Sequence, residues 1–195
     1  DSLEVLNLSK TSIKSVDGIS GAKNLKELHL TGIGLKGTFP SEILSLSETL
    51  ESLYISSNHF YGTLPTELGK FSNLQVLYAF DNDFLTTIPS ELGKLGFLKD
   101  LVVAENLIHG TIPTELGSLP ALELFAAFRR EKSGPRLSGT LPLFDKVPQL
   151  KEIHLDGNNL LGSIGETFLS ASNGIHTVQL SSNLLTGVFP DSLNG

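Results

Sequence analysis

Histidine is the residue type in this chain most suited to metal binding or proton transfer, and there are five, at His29, His59, His109, His154 and His176. Cysteine is absent, which excludes thiolate metal sites, disulfides and a cysteine nucleophile. His29 and His154 fall at equivalent positions of segments five repeats apart. At about 4.8 Å per strand that puts them roughly 24 Å apart, outside any shared ligand sphere. His176 opens a strand and His59 and His109 follow theirs, so all five are read as solvated surface histidines. Glu123, Glu152 and Asp156 are prominent carboxylates, but nothing places two of them across a cleft as the acid and base of a glycosidase. No glycine-rich phosphate loop stands apart from the repeat. The triplet Asn7-Leu8-Ser9 is a glycosylation sequon of a kind that arises often by chance. No catalytic residue, cofactor or metal is expected.

The elements that position these residues follow from self-similarity. Eight copies begin near Leu3, Leu25, Leu50, Leu74, Leu98, Leu122, Leu150 and Ile175, 22 to 28 residues apart. LESLYISSNHFYGTLP from Leu50 and LKDLVVAENLIHGTIP from Leu98 share the skeleton LxxLxLxxNxLxGxIP. Apolar residues two apart face one side of a strand, so Leu53 and Ile55 point inward and Tyr54 outward. Asn58, Asn82, Asn106, Asn158 and Asn183 mark the turn out of each strand. There an amide can donate and accept, forming a ladder that satisfies successive coils. Gly at 37, 62, 110, 139, 162 and 187 allows close backbone approach, and Pro at 40, 65, 89, 113, 142 and 190 fixes the chain without a donor. Runs such as TELGKFSNL and SELGKLGFL predict one or two helical turns ended by Gly on the convex side.

This pattern resembles the plant-type leucine-rich repeat, marked by its LxGxIP segment, over essentially the whole chain. The resemblance implies an α/β repeat solenoid: a right-handed superhelix with a parallel β-sheet on the concave face and short 3-10 or helical turns on the convex face. It also implies a recognition module similar to receptor-kinase and receptor-like-protein ectodomains and to algal relatives. Residues 1–195 form a single domain, and without flanking caps the chain is expected to be an internal or truncated segment. The first copy carries Thr11 at the Asn position and lacks the Gly-x-Ile-Pro segment. Ile33 and Arg130 also replace the Asn, predicting a weaker ladder at those coils, and Gly165 replaces a Pro. The sixth copy carries about five extra residues before Leu137.

Reading outward positions only, the first two and last two copies are polar, whereas the middle copies present Tyr54, Val76, Tyr78, Phe80, Val102, Ala104, Leu124, Ala126 and Phe128. A contiguous apolar patch over four adjacent strands marks an interaction site. Beside it the insertion gathers Arg129, Arg130, Lys132 and Arg136 against Glu131, expected as a basic rim. The partner-binding set is therefore Tyr54, Val76, Tyr78, Phe80, Val102, Leu124, Phe128, Arg129, Arg130 and Arg136. Its ligand is expected to be a protein or peptide.

Bulk properties narrow the rest. A formal net charge of -7 argues against general affinity for nucleic acid, and no apolar stretch is long enough to insert into a bilayer. The alternative to recognition is a scaffold or spacer within a larger receptor or assembly. An enzyme acting on polysaccharide is disfavoured for want of a catalytic constellation. The resemblance favours an extracellular or cell-surface setting, while the absence of cysteine leaves the cytoplasm open.

Overall fold

The computed structural model describes residues 2–131, 133–172, 174–188 and 190. Eight short strands stack into one parallel sheet: β1 (Val5–Asn7), β2 (Glu27–His29), β4 (Ser52–Tyr54), β6 (Val76–Tyr78), β8 (Asp100–Val102), β9 (Leu124–Ala126), β11 (Glu152–His154) and β13 (Thr177–Gln179), in that order. Pairing is in register, so Tyr54, Tyr78, Val102, Ala126, His154 and Gln179 form one row across the sheet. The middle residue of each strand turns into the solenoid: Leu28, Leu53, Leu77, Leu101, Phe125 and Ile153 are fully buried. The leucine opening each repeat, Leu25 through Leu150, is buried with them. That recurrence is why one continuous core runs the length of the stack.

Past the turn, a second set of short strands pairs in two ribbons: β3 (Lys36–Gly37), β5 (His59–Gly62) and β7 (Asp83–Phe84), then β10 (Ser138–Thr140), β12 (Asn159–Gly162) and β14 (Leu184–Leu185). An isolated bridge between Gly110 and Leu137 links coils five and six on the same side. Sequence patterning does not reveal these ribbons, and His59 belongs to one of them rather than to a bare turn. Inside, Phe60 stacks on Phe84 with centroids 6.1 Å apart.

The turn itself is built from the asparagines. Asn58 donates to the carbonyls of Ile55 and Ser56 in its own coil and of Leu30 in the coil before, and accepts the Leu35 N–H. Asn82 and Asn106 repeat this on Ile55 and Ala79 and on the N–H groups of Phe60 and Phe84. Asn158 reaches back across the insertion to Ala127 and Leu137, and Asn183 to Leu155 and Leu160. Where the amide is missing, Thr11 donates its hydroxyl to Leu8, and Ile33 is buried as an apolar rung.

The residue just before each rung adopts a left-handed backbone: Lys10, Gly32, Ser57, Asp81, Glu105, Gly157 and Ser182 all have φ between 51° and 71°. Only two of these are glycine, so the sequence gives little warning of it. Coil six is the exception, for Arg129 is not left-handed.

The convex side carries 3-10 turns at Ile19–Gly21, Ser41–Leu46, Thr66–Lys70, Ser90–Lys94 and Thr114–Ser118. The last four follow Pro40, Pro65, Pro89 and Pro113. The expectation that glycine ends these turns is corrected, since Gly69, Gly93 and Gly117 lie within them. A Cβ on Gly69 would meet the Glu91 carbonyl oxygen at 2.5 Å, and one on Gly117 the Leu143 carbonyl oxygen at 1.9 Å. Glycine is needed there because successive coils touch, not because a helix stops.

Candidate functional site

Strands β6, β8 and β9 carry the apolar residues of the concave face into a hollow of about 380 Å³, lined by Tyr78, Phe80, Val102, Leu124, Ala126, Phe128, Arg130, His154 and Gln179. Its floor is low because Val102, Ala104 and Ala126 are small and buried. Phe80 and Phe128 stand two coils apart, roughly 9.6 Å by strand spacing. Their ring centroids are 6.0 Å apart, so the rings lean together over Ala104.

On one side Tyr78 donates its hydroxyl to Asp100 Oδ2 at 3.1 Å and packs edge-on against Tyr54 at 5.3 Å, which in turn stacks on His29 at 4.3 Å. Burial, reinforced by the Asp100 charge, pushes the Tyr78 phenol up to about 12. Burial also raises the Asp100 carboxyl, against the Tyr78 hydrogen bond and with the help of Glu123. On the other side His154 bridges Glu152 Oε2 at 2.9 Å and Gln179 Oε1 at 3.0 Å. His29 and His154 are therefore largely enclosed and partnered, with side chains 24% and 17% exposed, which corrects their reading as solvated surface residues.

The structure brings Tyr78, Phe80, Val102, Leu124, Phe128 and Arg130 together at the hollow, with Tyr54 and Val76 flanking it. Arg129 and Arg136 are elsewhere, and here the basic-rim expectation is corrected. Arg129 is 3% exposed and gives its guanidinium to the carbonyls of Asn106, Ser133 and Pro135. Burial and the neighbouring Arg136 charge hold it below the ordinary guanidinium value. Arg136 donates to the carbonyls of Arg129, at 2.6 Å, and Gly157. Glu105 accepts the N–H groups of Arg130, at 2.8 Å, and Glu131. Lys132 lies outside the described residues.

These bonds explain how coil six manages without its asparagine. With no left-handed residue before the rung position, Arg129 rather than Arg130 turns inward and binds backbone carbonyls. Arg130 stays on the concave edge, in a bidentate pair with Asp156 that also contacts Gln179 at 2.7 Å, with its guanidinium 4.3 Å above the Phe128 ring. Sequence reasoning left His154 and Gln179 among ordinary polar surface. The row containing Tyr78 and Ala126 was the signal that could have found them.

A larger open groove of about 810 Å³ runs past Thr63–Glu67, Thr86–Glu91 and Thr111–Glu115 on the side of the coils. It is lined by the repeat framework itself, by the threonine, aliphatic and proline residues that lead into each convex turn and by Glu67, Glu91 and Glu115. Among the described residues no group of three or more His, Asp or Glu could hold a metal ion, and no helix is long and apolar enough to cross a membrane.

The family model described as Leucine Rich Repeat matches residues 49–71, 73–95 and 149–171. The chain is a leucine-rich-repeat solenoid. It is 30% identical to the Arabidopsis receptor kinase HAESA, solved in complex with the peptide hormone IDA and the co-receptor SERK1, at a TM-score of 0.85 over 98% of this chain and 32% of that one. The PEPR1-AtPEP1 crystal structure matches at 29% identity and a TM-score of 0.88 over 98% of this chain and 26% of that chain. Protein MALE DISCOVERER 2 of Arabidopsis thaliana is 40% identical over 65 residues, 33% of this chain and 9% of that protein. The leucine-rich-repeat chain thus spans about a third or less of the length of these proteins.

Proposed function

We propose that this leucine-rich-repeat segment is a recognition module that binds a peptide or an extended protein segment across the concave hollow. The observation that carries the reading is the contiguous apolar floor of Val102, Leu124 and Ala126 between the Tyr78, Phe80 and Phe128 walls. Its resemblance to a receptor solved with a peptide hormone supports it, and the same resemblance favours an extracellular or cell-surface setting. The function is binding rather than catalysis. Tyr78, Phe80 and Phe128 are the anchors, Tyr54 and Val76 extend the surface, and Arg130 closes one end, while Arg129 and Arg136 hold the insertion in place.

The test is selection of binders from a displayed peptide library against the immobilised chain, followed by affinity measurement on variants. Tyr78→Ala, Phe80→Ala and Phe128→Ala should each cost about 2 kcal/mol or more if they are hot spots, with Phe97→Ala, exposed and outside the hollow, as the neutral control. Binders indifferent to all three hollow variants would place recognition elsewhere. Failure to find any saturable binder would favour the scaffold or spacer alternative.

A further inference from the structure

We infer that the segment received by the hollow is basic: a lysine or arginine side chain laid along Leu124 and Val102 with its cationic head between Asp100 and Glu152. This deepens, and rests on, the peptide-binding reading. Register fixes the geometry, since Leu124 pairs with Asp100 on one side and with Glu152 on the other. The two carboxylates therefore flank one apolar residue at roughly 4.8 Å per strand, a spacing at which a single head group above Leu124 faces both.

Each carboxylate is also fixed in place. Asp100 is held by the Tyr78 hydroxyl at 3.1 Å and Glu152 by His154 at 2.9 Å, so the groups that orient the acids are themselves walls of the hollow. Neighbouring cations only partly answer this charge. Lys151 is engaged with Glu123, and Lys99 offsets Asp100 without an ion pair among the described residues. The Asp100 carboxyl, half-buried and facing Glu123 and Glu152, is raised, the condition that an incoming cation relieves.

The walls favour the same ligand. Aromatic faces attract cations, and Phe128 already carries one guanidinium, that of Arg130, at 4.3 Å. Arg130 does not recruit an anion to the site, because Asp156 and Gln179 occupy its guanidinium. With Tyr78 and Phe80 as the remaining aromatic faces and two carboxylates at the edge, charge complementarity selects a basic side chain over a neutral or acidic one.

Three peptides test this: acetyl-Phe-Lys-Phe-amide and its counterparts with norleucine or glutamate in place of lysine, titrated into the isotope-labelled chain and followed by amide chemical shifts. The lysine peptide should saturably shift Asp100, Leu124 and Glu152 and bind about fivefold more tightly than the norleucine peptide, with the glutamate peptide weakest. Asp100→Asn and Glu152→Gln, each checked for a native spectrum, should bring the lysine peptide down toward the norleucine affinity. If norleucine binds the hollow as well as lysine does, or neither variant matters, the charge inference is wrong while the hollow remains a binding site. If none of the peptides shifts hollow residues, both readings fall.

Discussion

Gly157 and Gly32 occupy the same place in their coils, just before the rung of the turn, with φ of 71° and 66°. Replacing either by alanine forces a Cβ into left-handed backbone at roughly 1–2 kcal/mol. Their surroundings differ. A Cβ at position 32 meets nothing within 4 Å, whereas one at 157 would lie 2.0 Å from the Arg129 carbonyl oxygen and 2.8 Å from its carbon. That oxygen accepts from Arg136, and the Arg129 N–H donates to Asp156 at 2.9 Å, so relieving the clash must part coils six and seven where the insertion is anchored. Two loosened hydrogen bonds, partly buried, add roughly 2–3 kcal/mol. Gly157→Ala should therefore cost about 3–5 kcal/mol and Gly32→Ala only about 1–2 kcal/mol. Urea denaturation followed by circular dichroism measures both. Equal losses would refute the close approach of Arg129 to Gly157, and with it the account of how the insertion is held.

Three further outcomes follow from the same geometry. Asn82→Ala should destabilise by about 3 kcal/mol, because Asn82 is fully buried and the Phe60 N–H loses its acceptor, and it should cost more than Asn183→Ala, whose rung is half-exposed; equal melts would contradict the ladder. Ser57→Gly should stabilise by about 0.5–1 kcal/mol, since relief of its left-handed backbone outweighs the added chain entropy of glycine, and a lower melting point would count against that conformation. Tyr78 should ionise near pH 12, seen as a phenolate absorbance phase missing from Tyr78→Phe, and Asp100→Asn should bring it down. Because its folded value lies above the ordinary 10.0, its contribution to stability is complete below about pH 10 and fades as the pH rises toward 12. Solvent screening at this partly exposed group makes absorbance the sharper readout, and a Tyr78 midpoint near 10 would overturn both its burial and its coupling to Asp100.

The sequence made the solenoid legible because the LxxLxL pattern of inward residues recurs every 22 to 28 residues, and strand alternation then assigned Tyr78, Phe80 and Phe128 to the concave face. Such alternation holds only while each coil keeps its register. In coil six the insertion removes the left-handed residue that precedes every other rung, and the inward position passes from the expected Arg130 to Arg129. A cluster that reads as a basic rim in one dimension becomes two arginines facing backbone carbonyls and one paired with Asp156. The convex glycines were misread for a related reason. A turn-ending glycine and a glycine admitting a neighbouring coil look identical in sequence, and only the carbonyls of Glu91 and Leu143 tell them apart. The left-handed Ser57 and Glu105 carry no residue signal, since the stack of coils imposes their conformation against their own preference.

The insertion and the hollow are therefore one structure rather than a loop beside a patch. Glu105, in the coil whose Ala104 floors the gap between Phe80 and Phe128, accepts the N–H groups of Arg130 and Glu131 and so fixes where the inserted chain leaves coil six. Arg129 and Arg136 hold that departure against Asn106 and Gly157. With its backbone fixed, Arg130 reaches Asp156 and lies over the Phe128 ring. Solenoids tolerate inserted loops at low cost, yet this one is bonded to the coils on both sides of it. Two arginines bound to backbone carbonyls of coils five and seven therefore fix the Phe128 end of the hollow.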